Sequence, residues 1–387
     1  MRIFDIKINL AKIVIVMFTV KILLSYQNIL EISPMVDECC VAFAVAVFVL
    51  KLLRNPFTVK KFCWFALIGA LVLFTCYEIK QYDVLISFIT IFLIKDENFE
   101  ECIRLMLITE IVVMIFICLM GGVAVLQGRE KIFFSIKGDR VRFKGAMIHA
   151  NVFSGCIFSC LLMTMWLCYE KISKKHYMIW GFVAAVAFVL TDTRTTLLLT
   201  VFSMSFLVLR NNRYVQKWCE KYLIFLFPVL VGVIYYWITH FVEGSTVAMY
   251  ADNLLTGRIE LGAYAYERSG ITFLPRFLDY AEEGKISWEQ AWGLNKFTFD
   301  NLYSFLWVQF GFVWIMVITI LIGLLVSKTE HKCRFFILIW ILYGFTEVHG
   351  LNCYKFFPIL LASRLFYSKV KNDDTAVNQH NYSRLQR

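Results

Sequence analysis

The chain has 387 residues, of which 59% are hydrophobic and only 18% charged, with a mean hydropathy of +0.66; a soluble domain carries about 25% charge. This excludes a soluble globular enzyme and predicts an all-α polytopic integral membrane protein, in which each crossing takes about 20 residues and about twelve spans fit. The formal charge of +10 would suggest nucleic acid for a soluble protein, but here the inside-positive bias of membrane loops absorbs it, and no nucleic-acid partner is expected.

In chain order, apolar runs predict spans at 8–25, 34–50, 62–77, 82–94, 105–126, 147–168, 177–191, 194–209, 222–241, 302–326, 334–346 and 350–366. Runs such as 177–191 and 334–346 are short for about 30 Å of hydrocarbon and read as halves of helical hairpins. The first run follows Arg2 and Lys7 and ends without an Ala-x-Ala site, so it reads as a retained helix rather than a cleaved signal. More than half of the 39 Lys and Arg fall on the even-numbered connections and the termini, which predicts both ends in the cytoplasm. The rest cluster on the other side, in the connection 127–146 and in the long outer loop 242–299. Translocated basic clusters point to an anionic ligand there, although a long loop crosses regardless of its charge. Residues 1–367 read as one membrane domain and the polar stretch 368–387 as a disordered cytoplasmic tail. The twelve cysteines contain no CxxC pair, and there is no Walker loop, HExxH or GxSxG, so neither metal nor cofactor is expected.

Chemistry must then come from dispersed polar residues at the outer ends of spans. Arg140, Arg142 and Lys144, followed by His149 and Asn151 in GDRVRFKGAMIHANVFSG, bring cations to a helix start. Forked guanidinium bonds suit a phosphate or pyrophosphate, while an interfacial loop on lipid headgroups explains the same charges. Asp192 and Arg194 interrupt the apolar stretch in TDTRTT; Arg194 would open a helix whose dipole also attracts an anion, or would pair with Asp192 as a plain cap. In LLTGRIELGAYAYERSG, Thr256 reads as an N-cap with Arg258 in the first turn, where a cation opposes the dipole unless an anion intervenes; a solvated pair with Glu260 is the simpler account. The same loop interleaves Tyr280, Trp288, Trp292, Phe297 and Phe299 with Asp279, Glu282, Glu283 and Glu289, a composition that suits sugar stacking and equally an interfacial aromatic belt.

Asp300, Asn301 and Tyr303 open the tenth span in FDNLYSFLWVQFGFV. A carboxylate among apolar neighbours is a candidate base, and Asp is also a good cap. Glu347 and His349 in FTEVHGLN form a candidate proton pair or a hydrated turn. Glu110 and Lys355, inside the fifth and twelfth spans, are candidate partners for each other or for other helices.

In this order, the His-x-Asn at a helix start (His149, Asn151), the Thr-Asp-Thr-Arg hairpin (Arg194), the Leu-Thr-Gly-Arg loop (Arg258) and the Asp-Asn-x-Tyr entering the next span (Asp300, Tyr303) resemble the O-antigen ligase and polymerase family. The likeness is nearest to Wzy-type polymerases of capsule and exopolysaccharide, and it covers about 140–360. The resemblance implies a GT-C-like, metal-independent, inverting glycosyltransferase at the outer face of a bacterial cytoplasmic membrane. Its substrates would be undecaprenyl-pyrophosphate-linked repeat units, with membrane lipid around it and a chain-length regulator and flippase as pathway partners. Arg194 and Arg258, with help from Arg140 and Arg142, would hold the pyrophosphate. His149, Asn151, Asp192 and Tyr303 would line the site, and Asp300 would be the base, with Glu347 and His349 as rivals. The chain departs from the family in having His-Ala-Asn for His-Pro-Asn, and Asp300 where ligases carry His; the latter favours polymerase over ligase. Alternatives are a ligase-type glycan transferase and a lipid-linked oligosaccharide flippase, the second disfavoured because polar residues gather at one edge and no repeated halves are visible.

Overall fold

The computed structural model describes residues 9–54, 59–129, 132–137, 140–255, 257–278 and 299–366, and its architecture is nearly all helical. The proposed tail 368–387, Thr256 and the aromatic and acidic residues between 279 and 298 lie outside the described residues. The helices are α1 (Leu10–Ser25), α2 (Pro34–Arg54), α3 (Val59–Ile79), α4 (Asp83–Leu93), α5 (Phe99–Leu126), α6 (Ala150–Cys168), α7 (Lys174–Thr191), α8 (Arg194–Val208), α9 (Arg213–Val242), α10 (Thr246–Leu254), α11 (Arg258–Ser269), α12 (Leu302–Phe305), α13 (Phe312–Lys328) and α14 (His331–Gly344). Asparagine starts several of them. The side-chain oxygen of Asn98 accepts from the N–H groups of Glu100 and Glu101 at 3.0 and 3.3 Å. Asn212 caps α9 in the same way at 2.8 and 3.4 Å. Such caps satisfy donors that the first helical turn leaves open.

Four helical stretches among the described residues are long and apolar enough to cross a membrane: Phe62–Ile79, Phe99–Leu126, Ala150–Lys171 and Arg213–Val242. Shorter apolar helices, among them Asp83–Leu93, Arg194–Val208 and Phe312–Lys328, pack with them. α1 lies on α2 and α5, α5 on α6, α6 on α7 and α8, and α9 on α10, α11, α13 and α14.

Two expected spans are not continuous helices. The tenth breaks after α12 and a π turn at Leu306–Phe310, and resumes at α13. Gly311, at φ +89°, makes the break; a Cβ there would meet the Phe273 carbonyl oxygen at 2.6 Å. The segment 272–276 satisfies the opened backbone. Thr272 N–H donates to Trp307 O at 3.0 Å, Arg276 N–H to Gln309 O at 3.0 Å, and Phe312 and Val313 donate back to Thr272 and Phe273 at 3.0 and 3.2 Å. Non-helical backbone at membrane depth needs such partners. The twelfth, expected at 350–366, is a ten-residue 3-10 helix, Phe357–Phe366, which a 3-10 turn, Val348–Leu351, precedes. That helix packs on α4, α13 and α14 with Leu360 and Leu361 fully buried, so its hydrophobicity serves the core.

The connection 127–146 contains a hairpin absent from the expectations, β1 (Phe134–Lys137) and β2 (Arg140–Phe143), with Ile136 opposite Val141 and Ser135 opposite Arg142. Alternation puts Arg140 and Arg142 on one face and Val141 and Phe143 on the other.

Candidate functional site

The ends of α1 and α3 and the starts of α4, α6, α8, α11 and α12 gather at one end of the bundle, around a cavity of about 950 Å³. The segment 347–355, between α14 and the last 3-10 helix, forms another part of its wall. At the opposite end, ion pairs tie the first turn of α5 to its neighbours: Lys12 to Glu101 at 2.7 Å and Lys332 to Glu100 at 2.9 Å.

Arg258 is the first residue of α11, is 7% exposed and lines the cavity. Asp252 caps the start of α11. Its Oδ1 accepts from Ile259 N–H at 2.8 Å and Glu260 N–H at 2.9 Å, a carboxylate suited to the positive end of the dipole. Gly257 makes the turn before α11 in the left-handed region, at φ 85°. The Arg258 guanidinium donates to Thr195 Oγ1 at 3.3 Å and to Glu347 Oε1 at 3.4 Å. Its partner is therefore Glu347 rather than the expected Glu260, and Thr195 joins the site without having been singled out in the sequence.

Glu347 keeps 28% of its side chain open to the cavity, yet burial raises its carboxyl to about 7. Arg258 opposes that rise and Asp300 adds to it. Asp300 also lines the cavity but is exposed, which corrects the picture of a carboxylate held among apolar neighbours. Nor is it the helix cap. Asn301 accepts from Tyr303 and Ser304 N–H at 2.8 and 3.1 Å and donates to Phe345 O at 2.6 Å, leaving Asp300 just ahead of the helix. Tyr303 is wholly buried and its hydroxyl donates to the Ile341 carbonyl; it belongs to the core, not to the cavity wall as expected.

His149 and Asn151 line the cavity at the start of α6, where His149 caps the helix by accepting Asn151 N–H at Nδ1, 3.1 Å. Arg142 does not face the cavity. It is 4% exposed, and its donors go to Thr191 O at 2.6 Å, Asn151 Oδ1 at 2.7 Å and Thr193 Oγ1 at 3.2 Å. Arg142 is thus a clamp between β2, the α7–α8 turn and α6, a correction to its expected hold on a phosphate. Arg140 pairs with Asp192 at 2.9 Å on the surface, so Asp192 answers Arg140 rather than Arg194, and neither member of that pair lines the cavity. Arg194 opens α8 as expected, but it is exposed; the residues of that turn lining the cavity are Thr195 and Thr196.

Lys355 pairs with Asp83 at 3.6 Å, and its Nζ stands 3.2 Å from His349 Nδ1. An ammonium only donates, so Nδ1 must accept and the neutral ring carries its proton on Nε2. Burial and the Lys355 charge hold His349 well below its ordinary value. His349 is therefore a donor here and not a base. Glu110, 3% exposed, accepts from Ser159 Oγ of α6 at 3.1 Å, so of the two expectations it partners another helix rather than Lys355, although both residues line the cavity. Asp83 escaped notice because it reads as the polar edge of an apolar run; its place between a polar break and that run was the available signal. Among the described residues of the long loop, Phe277 and Phe299 line the cavity wall.

No known protein family, curated protein or solved structure matches this chain. Its functional reading rests on the cavity and on the motifs that surround it. Among the described residues no group of His, Cys, Asp and Glu is arranged to hold a metal ion.

Proposed function

We propose that this chain is a polysaccharide polymerase of a bacterial cytoplasmic membrane, GT-C-like with about twelve membrane segments and both termini in the cytoplasm. It would join undecaprenyl-pyrophosphate-linked repeat units at the outer face without a metal, inverting the anomeric carbon. The observation that carries this reading is the Arg258–Glu347 pair in the cavity wall, a cation at a helix start with a carboxylate raised to about 7 beside it.

In this scheme Arg258, the N–H groups of α8 and the hydroxyl of Thr195 receive the pyrophosphate. Glu347, released from Arg258 by the arriving phosphate, takes the proton of an acceptor sugar hydroxyl. The hydroxyl oxygen bonds to the anomeric carbon as the bond from that carbon to phosphate oxygen breaks. Its electron pair leaves with undecaprenyl pyrophosphate, and Arg258 neutralises the growing charge. Asp300, the base the resemblance suggests, instead keeps Glu347 basic. Arg194 draws the anion toward the rim. A ligase-type transfer would use the same parts.

The test is a transfer assay in proteoliposomes with lipid-linked repeat units as sole substrate. Polymerisation gives longer lipid-linked glycans and one undecaprenyl pyrophosphate per bond formed; units left unextended by well-folded protein contradict it. A flippase-like transporter is the second reading, favoured by Glu110, whose carboxylate lines the same cavity from within the fifth span. Movement of units across the bilayer without extension would establish it.

A further inference from the structure

Part of the cavity wall carries polar groups that the transfer scheme leaves unused. The Tyr26 hydroxyl, at the end of α1, is buried and has no hydrogen-bond partner among the described residues. Asn352, 1% exposed, accepts from Tyr354 N–H at 2.9 Å through Oδ1, and its amide N–H faces the Asp83 carboxylate. Leaving a group such as the Tyr26 hydroxyl unmet is costly, and folded proteins rarely do so. Both residues line the cavity, as do Asp83, His349 and Lys355. Lys355 ties the set together, standing 3.6 Å from Asp83, 3.2 Å from His349 Nδ1 and 4.9 Å from the centre of the Tyr26 ring.

The chemistry of this wall selects its ligand. Asp83 and Lys355 cancel in charge and His349 is neutral, so the wall has no net attraction for an anion. It offers donors at Tyr26 Oη and His349 Nε2, and an acceptor at Asp83, which Asn352 and Lys355 hold in place and whose side chain is 43% exposed. Groups that donate and accept at once satisfy such a wall, and hydroxyls do both. A neutral sugar ring presents several in one rigid unit. We propose that Tyr26, Asp83, His349, Asn352 and Lys355 form a second subsite of the cavity that binds a neutral sugar ring, the acceptor end of the glycan. This rests on reading the Arg258 wall as the donor pyrophosphate site. The two subsites adjoin, because Glu347 and His349 are two residues apart and at most about 7 Å separates them along the backbone. That is the order of one sugar ring, the spacing that transfer from phosphate to hydroxyl requires.

The test uses the full-length protein in nanodiscs with two probes. One is the free oligosaccharide released by mild acid from the strain's own lipid-linked units, and the other is sugar-free undecaprenyl pyrophosphate. Tyr26→Phe and Asp83→Asn are each expected to weaken oligosaccharide binding about five- to tenfold, the worth of one hydrogen bond, and to leave undecaprenyl pyrophosphate within twofold. Arg258→Ala should do the reverse. Tyr26→Phe removes only a partnerless hydroxyl, so a merely structural Tyr26 would show no loss, and that result overturns the subsite. Equal weakening of both probes by Tyr26→Phe overturns it too, as does an unsubstituted protein that binds undecaprenyl pyrophosphate but no oligosaccharide. If the unsubstituted protein binds neither, the glycan reading of the cavity fails and the subsite falls with it.

Discussion

Arg258 and Glu347 lie 89 positions apart in the chain and meet at 3.4 Å in the wall of one cavity. A guanidinium at a helix start opposes the helix dipole, and Glu347 is the anion that compensates it. In the proposed transfer, the donor phosphate competes with Glu347 for Arg258 and frees the carboxylate.

Replacing Arg258 should therefore do more than weaken binding. Arg258→Ala is expected to lower turnover about 10²- to 10³-fold, the usual loss for one stabilising donor at a developing anion. Arg258→Lys should recover only part, because an ammonium cannot reach Thr195 and a phosphate in a fixed fork. Single-turnover rates on lipid-linked units measure both.

The pH profile separates the two carboxylates. In the proposed scheme Glu347 acts ionised, and burial raises its carboxyl to about 7, so the rate should rise from pH 6 to pH 8 and then level off. Asp300 helps raise that carboxyl and Arg258 opposes the rise. Asp300→Asn should therefore move the rising limb to lower pH with little loss at its plateau, whereas Arg258→Ala should move it higher. Glu347→Gln should remove the limb along with the activity. Loss of the plateau in Asp300→Asn would instead make Asp300 the base.

Arg142 and Arg194 should part company in a stability measurement. Arg142 is buried with three donor contacts to oxygen, and Arg142→Ala should cost about 3 kcal/mol, since hydrogen bonds to a charged donor are worth more than neutral ones and their acceptors are left buried. Exposed Arg194 makes no salt bridge among the described residues, and Arg194→Ala should leave the melting temperature unchanged. Thermal unfolding of both variants in one detergent decides this.

Gly311 tests the break between α12 and α13. Its φ of +89° and the close Phe273 carbonyl leave no room for a side chain, so Gly311→Ala should cost at least about 1–3 kcal/mol. The readout is a lower melting temperature, with residues 272–276 exchanging amide hydrogen faster.

Much of this arrangement was legible in the sequence where the cause is local. Apolar runs located the helices, the TDTRTT interruption marked the α7–α8 turn, and the Arg258 motif opened a helix as read. Causes that act across the chain were not legible. Arg142 looks like a phosphate ligand until the oxygens of Thr191, Asn151 and Thr193 occupy it, and Asp300 looks like a cap until Asn301 takes that place. The break at Gly311 is hidden because 272–276, which supplies its partners, is some forty residues earlier. Hydropathy also cannot tell a lipid-facing run from a core one, so 350–366 reads as a span although Leu360 and Leu361 are buried within the bundle.

The most direct measurement of the central claim is made in the cell: delete the gene, then compare surface glycan with lipid-linked intermediates, restoring unsubstituted, Arg258→Ala and Glu347→Gln proteins at equal levels. The account predicts that deletion and both variants lose long polymer and accumulate single repeat units on the outer leaflet, and that the unsubstituted protein reverses this. Units held on the inner leaflet, full-length polymer accumulating on its lipid carrier, or glycan unchanged by the deletion would contradict it.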